Sequence, residues 1–346
     1  MDSCEMLRLL CLQEGPSGFE SRVAQVAKTL LEPLVDQVWI DRMGNLVGLR
    51  RCGRPGAGKL LLDAHLDEIG LVVTGVKDGF LRFAAIGGVD PRMLPDRELT
   101  ILTHPPRFGV VACLPPHVLT DAEREKAPTI DELYVDVGLS QQQAQREIPV
   151  GTPMVFRPSF LRLGQRQVCG KAMDDRSCFV ALLRTAQLLR AQPLDVDVYF
   201  LGSVREETSS AGAITAVQAL EPDWCVAVDV THGSTPDSPK DQSFTLGSGP
   251  AVGIGPNMTR WMSRRLLDQA QALGIPVQQE VMGGSSGTNA WKMQICNEGV
   301  ATAVLSLSLK YMHTPVEVVD LDDLEHTARL LAAFAQGLGE EGARDD

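Results

Sequence analysis

The sequence predicts an α/β protein: a mixed or largely parallel central sheet flanked by helices and interrupted by a smaller β-rich unit. Three observations carry that reading. At 346 residues the chain is too long for one small core, which suggests two compact units or one large unit with an insertion. Strand and helix patterns alternate from about Asp174 onward, which implies a sheet covered by helices. Between about Gly70 and Gly164 the texture changes to short β-like pieces with many Gly and Pro, which suits a small barrel or sandwich. The predicted division is therefore residues 1–69 with 165–346 as a discontinuous main unit, and 70–164 as the insertion.

The elements follow in order. Ser17-Gly18-Phe19-Glu20 has the form of a capping box, and Val23, Val26, Ala27, Leu30 and Leu31 recur at helical spacing, so a helix is expected from about Glu20 to Glu32. Val38 to Ile40 and Leu46 to Leu49 read as a strand pair joined through a Gly-Asn turn. Leu60-Leu61-Leu62 reads as a buried strand. Past the insertion come a helix from about Asp174 to Arg190, a strand Val196 to Gly202, a helix Ser210 to Leu220 and a strand Trp224 to Val230. A helix near Thr259 to Leu273, a strand Thr302 to Ser308 and a helix near Leu321 to Leu338 complete the series.

Composition excludes several function classes. A formal net charge of -12 leaves no surplus of cations for phosphate recognition, so nucleic acid is not an expected partner. Acidic residues can also be metal ligands, neutralised in the working protein. No apolar stretch approaches the roughly 20 residues that span a bilayer, so no membrane role is expected. The eight cysteines form no CxxC pair, and the opening Met1-Asp2-Ser3-Cys4-Glu5 lacks a basic start followed by an apolar run. Reduced thiols and a cytoplasmic location are the expectation.

In open α/β sheets ligands bind beyond the carboxyl ends of the strands. Four apolar runs here lead into metal-type ligands: Leu60 to Leu62 before Asp63, His65 and Asp67; Val198 to Leu201 before Glu206-Glu207; Cys225 to Val228 before Asp229; and Ala303 to Leu305 leading to His313. Any one of these is compatible with polar residues in an exposed loop, whereas four together point to a site. The alternation of Asp63, His65 and Asp67 would let a carboxylate hold the second nitrogen of the imidazole. Asp174-Asp175 at a helix start suits the helix dipole, and equally suits a carboxylate bridging two cations. Glu206-Glu207 could supply one ligand and one free general base, provided that the backbone turns between strand and pair. His104, His117 and His326 are expected to be non-ligands, and His232 to serve a loop.

Taken as a set, these residues resemble the tetrahedral aminopeptidases, a family of glutamyl and deblocking aminopeptidases with some members mislabelled as endoglucanases. The resemblance rests on PSGFE (16–20), DRMGNL (41–46), HLDEIG (65–70), PPH (115–117), GKAMDDR (170–176), Glu206-Glu207, VDV (228–230) and YMHTPVE (311–317), and it runs in order through nearly the whole chain. It implies a zinc-peptidase-like catalytic domain with an inserted PDZ-like dimerisation domain, and dimers assembling into a tetrahedral dodecamer. His65 and Asp229 would bind one metal, Glu207 and His313 the other, and Asp174 would bridge them. Glu206 would be the general base toward a metal-activated water, Asp67 would orient His65, and Asp175 would support the bridging segment. The cofactor implied is a pair of divalent ions, zinc by ligand type with cobalt or manganese as alternatives, and the substrates implied are peptides with a free N-terminus.

The chain departs from the family pattern at Asn289, Thr208 to Ala211, Ser308 and Lys310, positions expected around the substrate. Two other readings remain open at this stage: a related dinuclear amidohydrolase or deacylase, and a metal-binding homologue with weak or no turnover. Glycoside hydrolysis by paired carboxylates is a further alternative.

Overall fold

A computed structural model describes residues 1–339. Helix α1 (Ser3–Cys11) is capped by the Asp2 carboxylate, which accepts from Glu5 N at 2.8 Å. Helix α2 (Ser21–Leu31) buries Val23, Ala24, Ala27 and Leu31, while Val26 and Leu30 of the predicted stripe are half-buried at its margin. The capping box expected there does not form. Ser17 Oγ pairs with Thr208 Oγ1, and Glu20 Oε1 accepts from Gly18 N and Arg205 N, so both polar residues are spent on tertiary contacts.

Strands β1 (Gln37–Ile40) and β2 (Leu46–Arg50) pair antiparallel. Their turn is organised by Asp41 Oδ1, which accepts from the N–H groups of Met43, Gly44 and Asn45, with Gly44 supplying φ +106°. β3 (Lys59–His65) carries the chain into the centre of the sheet.

The next segment closes on itself. Strands β4 (Gly70–Lys77), β5 (Phe80–Ile86), β6 (Glu98–Ile101) and β7 (Arg107–Ala112) are followed by the short helix α3 (Asp121–Arg124). Then come β8 (Tyr134–Asp136), helix α4 (Gln141–Glu147) and β9 (Pro153–Phe156), and the six strands form a closed barrel in the order β4-β5-β8-β7-β6-β9. Its interior is a separate core that includes Leu71, Leu81, Leu99, Val111, Val135 and Met154. Barrel closure leaves no unpaired sheet edge.

After the barrel, β10 (Phe160–Leu163) pairs with β11 (Gln167–Gly170). Helix α5 (Met173–Leu189) follows, then β12 (Asp197–Ser203), α6 (Glu206–Ser209), α7 (Ala211–Leu220), β13 (Trp224–His232), β14 (Ala251–Ile254) and α8 (Arg260–Leu273). The chain finishes through β15 (Gln278–Val281), α9 (Ala290–Met293), β16 (Ala301–Leu309), β17 (Glu317–Asp320) and α10 (Leu321–Gly337). The main sheet has the order β1-β2-β12-β3-β13-β16-β14-β15. β12, β3, β13 and β16 run parallel at its centre, while β2 and β14 join antiparallel, so the sheet is mixed. A smaller sheet pairs β10, β11 and β17.

The central strands read as continuous apolar runs because both of their faces are covered. Leu60 and Leu62 of β3 join the core beneath α1, α2, α5 and α10, where Leu10, Leu31, Phe179 and Phe334 also lie. Leu61, on the opposite face, packs with Ala213 and Val217 of α7 and Met293 of α9. The two buried faces hold the four parallel strands rigidly, and their carboxyl ends share one edge. Among the described residues no helix is long and apolar enough to cross a membrane.

Candidate metal centre

His65 is the last residue of β3 and only 2% exposed. Its Nδ1 lies 3.2 Å from the Asp67 carbonyl, while Nε2 faces Asp174 Oδ1 at 3.0 Å. The other oxygen of Asp174 lies 3.4 Å from Nε2 of His313, and that nitrogen is 3.3 Å from Glu207 Oε2. Nδ1 of His313 lies 3.0 Å from the Gly88 carbonyl. A hydrogen bond from each Nδ1–H to a backbone carbonyl leaves Nε2 of the neutral imidazole unprotonated, with its lone pair toward the centre. One carboxylate therefore stands between two imidazoles, one on each oxygen.

Two sets of ligand atoms, His65 with Asp174 and Glu207, and His65 with Asp175 and Asp229, each lie within 4.8 Å of one another. One Asp175 oxygen accepts from His65 N at 3.1 Å, and the other is buried without a hydrogen-bond partner. An orphaned buried carboxylate oxygen beside His65 is what a cation would satisfy. The donor set of imidazole and carboxylate fits divalent zinc chemistry.

Electrostatics lead to the same place. Burial first, and then mutual repulsion, raise the acids: Glu206 is pushed up to about 8, and Asp229, Asp175 and Glu207 also lie above the ordinary carboxylate range. Burial opposes charge on His313, yet Asp174 and Glu207 outweigh it and push the imidazole up to about 11. Burial likewise opposes charge on Asp174, but hydrogen bonds to His313 and His65 hold it below the usual range. The pocket concentrates negative charge that only protons or cations can offset.

The backbone turns where the sequence reading required it. Arg205 takes φ +60°, and Glu206 and Glu207 open the short helix α6 instead of continuing β12. Asp67, fully buried, fixes that turn: Oδ1 accepts from Glu206 N at 3.0 Å and Oδ2 from Glu207 N at 3.1 Å. Its carboxylate lies 3.5 Å from His65 Nδ1, farther than its own carbonyl. Beneath this segment Glu68 is buried with Lys171 and Arg176, with both Lys171 contacts at 2.7 Å.

Glu317 closes the YMHTPVE segment, and its residue type and spacing alone gave it no role. Its buried carboxylate accepts from Met173 N, Asp174 N and His313 N at 2.8, 3.2 and 2.8 Å. It thus ties the segment carrying Asp174 to the loop carrying His313. The only signal in the sequence was its place four residues after His313.

Several expectations are corrected. Asp63 faces away from the centre: its Oδ2 accepts from Asn289 Nδ2 at 2.8 Å, and burial pushes it up to about 6. Asn289 itself is 2% exposed, so this departure supports β3 from within and does not line the cavity, and Ser308 is fully buried. Lys310 pairs with Val318 through backbone bonds and is likewise absent from the cavity lining. Thr208, Ser209 and Ser210 do line it, together with Gly287, Lys292 and Met312. The cavity measures about 560 Å³ and contains His65, Asp174, Glu206, Glu207, Asp229 and His313. None of His104, His117, His232 or His326 lines it, and His232, expected in a loop, is the last residue of strand β13.

Comparison with known proteins gives a consistent result. The family described as M42 glutamyl aminopeptidase matches residues 44–330. Lysyl aminopeptidase of Pyrococcus furiosus is 34% identical over 340 residues, covering 96% of this chain and 97% of that protein. The solved aminopeptidase APDkam598 from the archaeon Desulfurococcus kamchatkensis is 36% identical with TM-score 0.89, covering 96% of this chain and 94% of its own. The Pyrococcus horikoshii TET1 peptidase, which can assemble into a tetrahedron or a large octahedral shell, is 28% identical with TM-score 0.85, over 97% and 100% of the two chains.

Proposed function

This chain belongs to the M42 glutamyl aminopeptidase family, and from that membership we propose that it hydrolyses the first bond of peptides with a free amino terminus at a centre of two divalent cations. The observation that carries the two-cation reading is Asp174, whose oxygens separately face His65 and His313. His65 and Asp229 would hold one ion, Glu207 and His313 the other, and Asp174 both. Zinc is the ion that the donor set suits best.

Bound cations of this kind supply Lewis acidity and an activated water. The chain's own groups do the rest. Glu206 lines the cavity, and among the described residues no hydrogen bond engages its carboxylate, which leaves it available to take a proton and return it to the leaving amine. Asp67 keeps Glu206 and Glu207 on the same turn, so base and ligand move together. Asp175 holds the backbone N–H of His65. The acids around the cavity favour a cationic amino terminus over a peptide carboxylate.

The barrel's separate core supports its assignment as the inserted unit within residues 70–164, PDZ-like by family resemblance, against a catalytic unit of 1–69 and 165–346. The pairing of β10 with β11 supports counting β10 with the catalytic unit, so that the return would come before Phe160. Assembly of dimers into a tetrahedral dodecamer is proposed on the likeness to the Pyrococcus horikoshii peptidase.

The test is mass spectrometry of peptides with free or acetylated amino termini, incubated with chelator-stripped protein given back zinc, cobalt or manganese. Stepwise loss from free termini alone, and only with metal, is the expected result. Turnover that survives chelation, or cleavage of acetylated peptides at equal rates, would overturn it.

A further inference from the structure

The two proposed cation positions are supported differently. Every group placed around the first, His65, Asp174, Asp175 and Asp229, lies on β3, α5 or β13, and His65 is only 2% exposed with its Nδ1 held by the nearby Asp67 carbonyl. Packing and the sheet fix that imidazole without help from the barrel.

The second position borders the barrel. His313 lies in the loop between β16 and β17 at φ +60°, with its side chain 32% exposed, so burial alone does not fix the ring. Two hydrogen bonds do so: His313 N–H to Glu317 Oε1 at 2.8 Å, and Nδ1–H to the Gly88 carbonyl at 3.0 Å. Gly88 follows β5 in the connection that leads to β6, between two strands of the barrel. The approach is close enough to exclude a side chain, since a Cβ on Gly88 would sit 2.7 Å from His313 Nδ1. The preceding Gly87 faces the other ligand, and a Cβ there would lie 3.1 Å from Glu207 Oε2. Both ligands of one position, and neither terminal ligand of the other, thus pack against two consecutive glycines of the barrel.

We infer that the Gly87-Gly88 turn is a positioning element of the second metal position: the Gly88 carbonyl aims His313 Nε2, and the barrel thereby sets the affinity of one cation without touching the other. The inference rests on the two-cation reading. Outer hydrogen bonds of this kind are typically worth 10–100-fold in metal affinity.

Gly88→Ala tests it, because no positive φ requires glycine there and the added carbon meets only the His313 ring. Gly75→Ala, on β4 with nothing within 4 Å, is the control, and Gly87 is left unaltered because it takes φ +76°, where any side chain is strained. Zinc is stripped from each full-length protein and titrated back against a chromophoric chelator, with bound metal counted by mass spectrometry and folding followed by thermal melting. In Gly88→Ala the first ion is expected to bind as in the unaltered chain and the second about 10- to 100-fold more weakly, with Gly75→Ala unchanged.

Equal, unweakened binding of two ions in Gly88→Ala overturns the inference. So does parallel weakening of both ions, or loss of the folded transition, since either would make the turn a general structural element. If the unaltered chain takes up one ion only, the two-cation reading has failed and the inference falls with it, a result that metal counting separates from the others without any substrate.

Discussion

Asp67→Asn changes one atom and tests how the catalytic turn is held. Each carboxylate oxygen accepts one N–H, from Glu206 at 3.0 Å and from Glu207 at 3.1 Å, in a position with no solvent access. Asparagine keeps one acceptor and turns the other into a donor. Whichever way the amide is placed, one N–H of α6 loses its partner and meets another donor. A hydrogen bond to a charged group is worth about 1.5–3 kcal/mol, and an orphaned buried donor adds a desolvation penalty of similar size. Much of that is expressed as displacement of Glu206, so a loss of roughly 10- to 150-fold in kcat is expected, at 1.4 kcal/mol per tenfold. Steady-state release of an N-terminal residue from a short peptide measures it, with metal content determined in parallel. A kcat within a factor of two of the unaltered enzyme, with the full metal complement, would refute the claim that Asp67 positions the base.

Glu206→Gln should leave metal content unchanged and lower kcat by about 10²–10⁴, the usual worth of a general base, as read from the same peptide assay. Burial pushes the Cys11 thiol up to about 12, so at pH 8 only about one in 10⁴ molecules carries the reactive thiolate there. Iodoacetamide should spare Cys11 in the native protein and modify it after denaturation, with peptide mapping as the measurement. Light scattering should return about 450 kDa, twelve copies of the 37.5-kDa chain, and a monomer mass would refute the assembly.

What the sequence made legible follows from where the forces act. Periodicity reports burial, so the strands and helices of the main unit were readable: Leu60-Leu61-Leu62 is buried on both faces and looks so in one dimension. Barrel closure was only partly readable, because pairing partners such as β4 and β9 are set by contacts far apart in the chain. Ligand types at the ends of parallel strands were visible because the sheet places all those ends together. The capping box at Ser17 misled, since a local pattern cannot reveal that Glu20 is claimed by Arg205. Asn289 misled likewise, because proximity to the cavity in sequence does not show which way a side chain turns. Least visible were the roles of groups that act through backbone atoms. Glu317 collects three N–H groups from two distant segments, and the Gly88 contribution is a carbonyl, present in every residue and marked only by the lack of a side chain where His313 needs room. The proposed ligands are visible in the sequence and the groups that would aim them are not, so metal binding after Gly88 is altered is the sharper test of how the site is built.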